Sequence, residues 1–324
     1  MSANSANSAN SANSANAGSV GAGNATSISG GWFFPDRIDL PFVTVPSTGP
    51  NNPNAPIASL LVNVPNFRVR DWSGDFYAWL VLHDLVSAQD WRNVPIVPGA
   101  MPVPQVQLVP PTANLPNWTD AAIADFTAPE ILTLAQYAQD ERPDALGEIL
   151  SQSDECASYF LNLLTTRPTS YPATTKMLMI LNTVGLFVAM YYKSYYQRPR
   201  PSQICPALLP PIAIPGHASF PSGHSTQAHL MALGIADIVN GTPLQDTLAD
   251  DAWTLANRIA RNREIAGLHY PSDTQAGVIL ANGVYALLSV ASPSSTANLL
   301  AKPTPPQTWF QIARNEAAAE WTWP

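Results

Sequence analysis

Lysine is nearly missing from this chain. Only Lys176, Lys193 and Lys302 occur, charged residues make up 12% of the sequence, and the formal net charge is −8. That balance excludes the basic stripe with interleaved aromatics by which a protein tracks nucleic acid. Cysteine is equally scarce. Cys156 and Cys205 cannot build a disulfide framework and have no zinc-ligand partners at useful spacing, so free buried thiols are expected. No Gly-rich nucleotide loop is present. Ser222 stands in Pro-Ser-Gly-His, without the Gly-x-Ser-x-Gly turn of a hydrolase nucleophile. The Met-Ser-Ala-Asn start lacks the charged and apolar regions of a secretory leader. The most apolar run, 177–192, is sixteen residues long and contains Asn182 and Gly185. A bilayer crossing needs about 20 apolar residues. These absences predict a soluble, cytoplasmic protein with no membrane span.

Alternating strand patterns are almost absent as well, which leaves helices. The hydrophobic share is 46%, ample for a sizeable core. Helical spacing is expected over 70–88, 128–139, 144–165 (one or two helices), 172–196, 222–240, 247–268 and 272–290. Pro172 starts one of them in its first turn, and Arg198-Pro199-Arg200-Pro201 ends it, because proline cannot continue a helix. Gly241 is a natural stop for another. The fold class is therefore all-α, a helical bundle. Residues 1–31 form a low-complexity tail built on Ser-Ala-Asn repeats, whose composition cannot bury enough apolar area to become ordered alone. Residues 32–66 read as an extended Pro- and Asn-rich arm, 67–295 as the catalytic domain with its motif core at 185–290, and 296–324 as a C-terminal extension. A second Pro-rich stretch, 93–118, reads as a surface loop. A helical core wrapped by prolines suggests a homodimer.

Against this lysine-poor background one cluster of cations is conspicuous. Lys193 is followed at a seven-residue step by Arg200-Pro201. Then come Pro221-Ser222-Gly223-His224, and finally Arg263, His269 and Asp273. A tetrahedral oxyanion has several oxygens to satisfy, and one lysine with two arginines supplies charge-assisted donors for them. Ser222 and Gly223 at a helix start add a hydroxyl and a backbone N–H where the macrodipole favours negative charge. His269 can act at the central atom with Asp273 orienting its ring, and His224 can carry the proton. Arg198 is the rival for the Arg200 role, though the spacing favours Arg200. His229 and the His83-Asp84 pair read as structural.

These three segments resemble the signature of the type 2 phosphatidic acid phosphatase and vanadium haloperoxidase superfamily, over roughly 185–290. The resemblance implies an all-α bundle whose single pocket serves two chemistries. On it, Lys193, Arg200, Ser222, Gly223 and Arg263 would bind the oxygens of vanadate or phosphate. His269 would be the vanadium ligand in a haloperoxidase or the nucleophile in a phosphatase, with His224 as acid–base. His217 resembles the extra histidine of vanadium bromoperoxidases. Met190 and Asn262 depart from the family's patterns, standing where several haloperoxidases carry Trp and where phosphatases commonly carry Ser. The favoured reading is a vanadium-dependent haloperoxidase of the bromoperoxidase kind, with vanadate as cofactor and halide and hydrogen peroxide as substrates. The alternatives are an acid phosphatase without a cofactor, hydrolysing phosphate esters, and a non-catalytic phosphate-binding protein.

Overall fold

Every regular element among the described residues is helical, as the lack of alternating patterns predicts. The computed structural model describes residues 67–322 except 89–90, 100, 102–117, 119, 154 and 291–306. The Ser-Ala-Asn tail, the Pro-rich arm, most of the 93–118 loop and the start of the C-terminal extension lie outside the described residues. The helices are α1 (Gly74–Ala88), α2 (Ala121–Asp140), α3 (Arg142–Ser151), α4 (Ala157–Leu163), α5 (Pro172–Tyr196), the short α6 (Pro201–Ile204), α7 (Gly223–Ile238), α8 (Gln245–Ile265), α9 (Pro271–Val290) and α10 (Trp309–Ala319).

The architecture is set by α7, which packs against α5, α8 and α9 together, while α1 and α10 cover α5. A helix surrounded on most sides must be apolar on most sides. Ala228, Leu230, Met231, Ala232, Ile235 and Ile238 of α7 are all buried. They meet a core supplied by Met177, Leu181, Val184 and Val188 of α5 and by Ala276, Leu280, Ala281 and Val284 of α9. Each large aliphatic side chain so placed contributes on the order of 1.5–3 kcal/mol.

Three sequence expectations change. The 70–88 helix begins only at Gly74, because Val69–Asp71 closes a single 3₁₀ turn. The 128–139 helix starts at Ala121, capped by Asp120, whose Oδ1 accepts from Ala122 N at 2.9 Å, and it carries Pro129 inside. The 144–165 stretch divides into α3 and α4 around Gln152, a break that matters for the site below. Within the 296–324 extension, the described residues 307–322 pack on the bundle. Phe310, Ala313, Ala317 and Trp321 are buried in the same core. The Glu320 carboxylate accepts from Ala173 N, Thr174 N and Thr174 Oγ1, each at 2.8 Å, and so caps the start of α5.

The expectation of a soluble, cytoplasmic protein with no span is withdrawn. Counting one uninterrupted apolar run stopped at Tyr192, but α5 is 25 residues long, and Pro172–Ile204 is long and apolar enough to cross a membrane, with a mean hydropathy of 1.5 in its best window. The same window is 61% buried within the protein.

Helix α9 reaches α7 through Gly277. A Cβ at that position would lie 2.7 Å from Ser225 Cβ and 2.9 Å from Ser222 O. Gly→Ala inside a helix ordinarily stabilises by about 0.5–1 kcal/mol. Here overpacking against backbone reverses the sign, so Gly277→Ala should destabilise by roughly 1–3 kcal/mol, read as a lower thermal midpoint. A midpoint at or above that of the parent protein would refute this contact.

Candidate active site

The Pro break after α5, the N-terminus of α7 and the turn between α8 and α9 converge at one end of the bundle. Helix α5 cannot continue through Arg198-Pro199-Arg200-Pro201, and it stops at Gln197 in a left-handed conformation (φ 51°). Gly267 (φ 74°) turns the chain between α8 and α9. Ser222 N donates to Asp273 O at 2.9 Å, tying the start of α7 to the start of α9. Each cation is then fixed by carbonyl oxygens. Lys193 Nζ donates to Ala218 O (2.9 Å) and Ser219 O (2.7 Å). Arg200 donates from Nη1 to Leu268 O (2.9 Å) and from Nε to His217 O (3.0 Å). Arg263 Nη2 donates to Ile149 O at 3.0 Å, whereas its buried Nε has no hydrogen-bond partner. All three are almost wholly buried. Buried arginines with few countercharges attract an anion.

Beside them lies a cavity of about 230 Å³ lined by Gly223, His224, Arg263, His269 and, at its exposed rim, His217. The wall also includes apolar residues (Leu186, Met190, Ile212), polar ones (Asn182, Gln227) and one acid, Glu155. His269 Nδ1 lies 3.1 Å from Asp273 Oδ2. A carboxylate only accepts, so Nδ1 carries the proton and Nε2 keeps its lone pair. Arg200 Nη1 is 3.5 Å from that Nε2. Burial, together with Lys193 and Arg200, holds the His269 imidazole well below its ordinary pKa, although Asp273 pulls the other way. Burial alone would raise Asp273, yet Arg198 and the hydrogen bonds from His269 and Ser219 prevail and hold it well below the usual carboxylate range. His224 Nε2 lies 2.9 Å from Gln152 O, which makes Nε2 the protonated nitrogen. Desolvation and the nearby Arg263 push His224 down to about 3, and burial brings Arg263 down to about 10, still cationic at neutral pH.

Comparison with known proteins places this arrangement. Residues 173–296, which contain every site residue named above except those of α3, match the family model of the PAP2 superfamily. The chain carries a PAP2 superfamily domain. Two curated relatives, the decaprenylphosphoryl-5-phosphoribose phosphatases of two Mycobacterium tuberculosis strains (CDC 1551 / Oshkosh and ATCC 25618 / H37Rv), are each 33% identical over 101 residues, covering 31% of this chain and 51% of theirs. The chain thus spans about half the length of the curated relatives it matches. A solved transmembrane PAP2 type phosphatidylglycerolphosphate phosphatase from Bacillus subtilis aligns with a TM-score of 0.41 and 18% identity, covering 53% of this chain and 87% of that one.

Within the PAP2 domain, Gly223, His224, Arg263 and His269 line the cavity, while Lys193, Arg200 and Asp273 lie behind it, the last two beside the His269 ring. Two expected site residues differ. Ser222 is fully buried, and its Oγ accepts from Ser225 N at 3.3 Å, so the hydroxyl caps α7 and does not line the cavity. His217 is tethered: its Nδ1 lies 3.1 Å from Arg200 Nη2, and its carbonyl receives Arg200 Nε. Arg198, the rival for Arg200, is engaged with the acids and hydroxyl beneath His269. It donates to Asp273 Oδ1, to Glu130 Oε2 (both 2.8 Å) and to Ser272 Oγ (2.7 Å), and it stacks 3.7 Å over the Tyr270 ring. Sequence spacing gave no hint of Glu130, Gln152 or Ser219, because each reaches the site from an element remote in the chain or through its backbone. His229 is buried in the core between Ser225 and Asn257, as its structural reading requires. Cys156 and Cys205 are free, the first buried and the second half-buried.

Folded-state burial keeps His224 and His269 neutral, while in the unfolded chain both take up protons below about pH 6.5. The unfolded state then binds more protons, so stability is lost as pH falls through that range. The thermal midpoint should decline from pH 7.5 to 5, and less steeply in His224→Gln. Parallel declines in the two proteins would show that His224 is not held neutral by the fold.

Proposed function

We propose that the protein is a phosphohydrolase cleaving phosphate monoesters through a phosphohistidine at His269. The observation that carries this reading is the buried, neutral His269 ring. It is anchored through Nδ1 to an ionised Asp273, and its bare Nε2 meets a cavity walled by Arg263 and backed by Lys193 and Arg200. Phosphoryl transfer asks a protein mainly for positioning and for charge against the equatorial oxygens. Lys193, Arg200 and Arg263 supply that charge, and the Gly223 N–H at the start of α7 adds a donor aligned with the helix dipole.

In the first step the His269 Nε2 lone pair bonds to phosphorus as the ester P–O bond breaks. His224 passes its proton to the departing oxygen, releasing the alcohol. Asp273 accepts from Nδ1–H throughout and stabilises the positive charge that develops on the ring. In the second step neutral His224 takes a proton from water as the water oxygen attacks phosphorus. The P–N bond breaks, and phosphate leaves with His269 restored. The bound dianion offsets the field of the three cations and raises the His224 pKa toward the working range.

The sequence favoured a vanadium-dependent haloperoxidase, chiefly on His217. That ring is paired with Arg200, so it has a positioning task that does not call for peroxide chemistry. The relatives matched are named as phosphatases. The donor set suits any tetrahedral oxyanion. Vanadate would occupy the same place with His269 Nε2 as its ligand, supplying Lewis-acid activation of hydrogen peroxide. Under the present reading it acts as a competitor of the substrate.

Purified protein should hydrolyse 4-nitrophenyl phosphate, with orthovanadate as a competitive inhibitor. His269→Ala should lower kcat by at least about 10³-fold, the scale lost when a covalent nucleophile is removed. Denaturation at alkaline pH should trap a phosphoenzyme that is base-stable and loses its phosphate in acid. Bromination of a dye by peroxide after vanadate loading, with no ester hydrolysis, would overturn the proposal.

A further inference from the structure

The break between α3 and α4 lies outside the residues matched to the PAP2 family, yet it delivers two main-chain carbonyls to the site. Ile149 O accepts from Arg263 Nη2 at 3.0 Å, and Gln152 O accepts from His224 Nε2 at 2.9 Å. Ile149 lies in the last turn of α3 and Gln152 is its C-cap, where carbonyls are left without partners inside the helix and the dipole is negative. Helix α3 is only ten residues long and largely exposed on its outer face, so something must hold that turn in register with α7 and α8.

Asn262 is placed to do so. This buried residue immediately precedes Arg263 on α8, and its single amide nitrogen donates twice, to Gln152 Oε1 and to Glu148 Oε2, both at 2.9 Å. Both hydrogens of the amide are thus used, one on each side of the last turn of α3. Glu148 is in turn gripped by Arg258, one helical turn earlier on α8, whose Nε lies 2.8 Å from Glu148 Oε2. The side chain of Gln152 is completely buried beside Glu148, and its Oε1 accepts from Asn262. The contact with Asn262 therefore fixes which way that amide points.

We propose that Asn262 is a positioning residue for His224: by clamping Gln152 and Glu148 it presents the Gln152 carbonyl to His224 Nε2, which fixes the imidazole as the Nε2–H tautomer and leaves Nδ1 for the proton exchanged with the substrate. The charges that face His224 are Arg263 from α8, Lys193 from α5 and His217 from the loop before α7, all unfavourable to its protonated form. Its one direct hydrogen-bond partner among the described residues, the Gln152 carbonyl, favours a proton on the ring, so losing it leaves less of His224 in the protonated form as well as misdirecting the ring. The catalytic part of this inference rests on the phosphohydrolase reading; the tautomer assignment does not.

The test uses the full-length protein and two readouts. In ¹⁵N NMR of the imidazoles, the parent protein should show His224 protonated at Nε2 and bare at Nδ1, and Asn262→Ala should show a mixture of tautomers. In kinetics, a general acid matters most when the leaving oxygen is basic. Asn262→Ala should therefore lower kcat for an alkyl phosphate at least tenfold more than for 4-nitrophenyl phosphate, with KM for each within about threefold. Asn262→Ser keeps one donor hydrogen and should fall between the two, and it serves in place of the alanine variant should that fail to fold. Equal losses on both esters, or an unchanged His224 tautomer, would overturn the proposal. Hydrolysis of neither ester by the parent protein would sink the phosphohydrolase reading, and the tautomer shift alone would then decide the positioning role.

Discussion

The Asp273 carboxylate is the point on which the active end of this protein depends. It is fully buried and accepts four hydrogen bonds: from Arg198 Nη1 at 2.8 Å, Ser219 Oγ at 2.5 Å, His269 Nδ1 at 3.1 Å and Tyr270 N at 3.1 Å. These donors come from the break after α5, the loop before α7 and the turn before α9, so one anion joins all three segments of the signature. A charge buried so deeply is tolerable only when its oxygens are saturated and a countercharge is adjacent. Arg198 meets that condition, and Glu130 from α2 balances Arg198 in turn. The result is an ion-paired floor under His269, and its removal would leave an uncompensated charge in the core.

Above that floor the electrostatics change sign. Lys193, Arg200 and Arg263 have their donors directed mainly at main-chain carbonyls, which hold them in place without neutralising them. The cavity is therefore a preorganised positive site, with the partnerless Nε of Arg263 close behind its wall. Such a site stabilises charge that is already present on a bound anion and charge that moves during transfer, with little reorganisation. The two histidines divide the work because their surroundings differ. His269 is fixed by an acid on its inner side and so presents a lone pair. His224 is fixed by a carbonyl from α3, a helix outside the matched domain.

The neighbours of the signature decide how it is read. The same oxyanion pocket serves either a substrate or a cofactor, and the sequence inclined toward a cofactor because His217 stood near His224. In the fold His217 sits at the rim and is occupied with Arg200. Its proximity in sequence to His224 was a consequence of the loop that positions Arg200, since the carbonyl and the ring of one residue hold two sides of the same guanidinium.

What the sequence determined by itself was the helical class, and it named the cations, histidines and carboxylate that the fold brings together at the candidate site. Helical periodicity, proline breaks and motif spacing are local properties, and Pro172, Gly267 and the Arg-Pro run act on the chain within a few residues of themselves. It counted α5 as too short to span a membrane, because the apolar run is bounded by Lys176 and Lys193 while the helix itself extends from Pro172 to Tyr196. Only the tertiary structure decided which arginine approaches His269 Nε2: Arg200 Nη1 lies 3.5 Å from it, whereas Arg198, two residues earlier, is engaged with Asp273, Glu130 and Ser272. Only the fold could bring Glu130, Gln152 and Asn262 to the site as supports. Their contacts run through buried hydrogen bonds between helices far apart in the chain, and two of the carbonyls involved belong to the main chain, on which residue type leaves no mark.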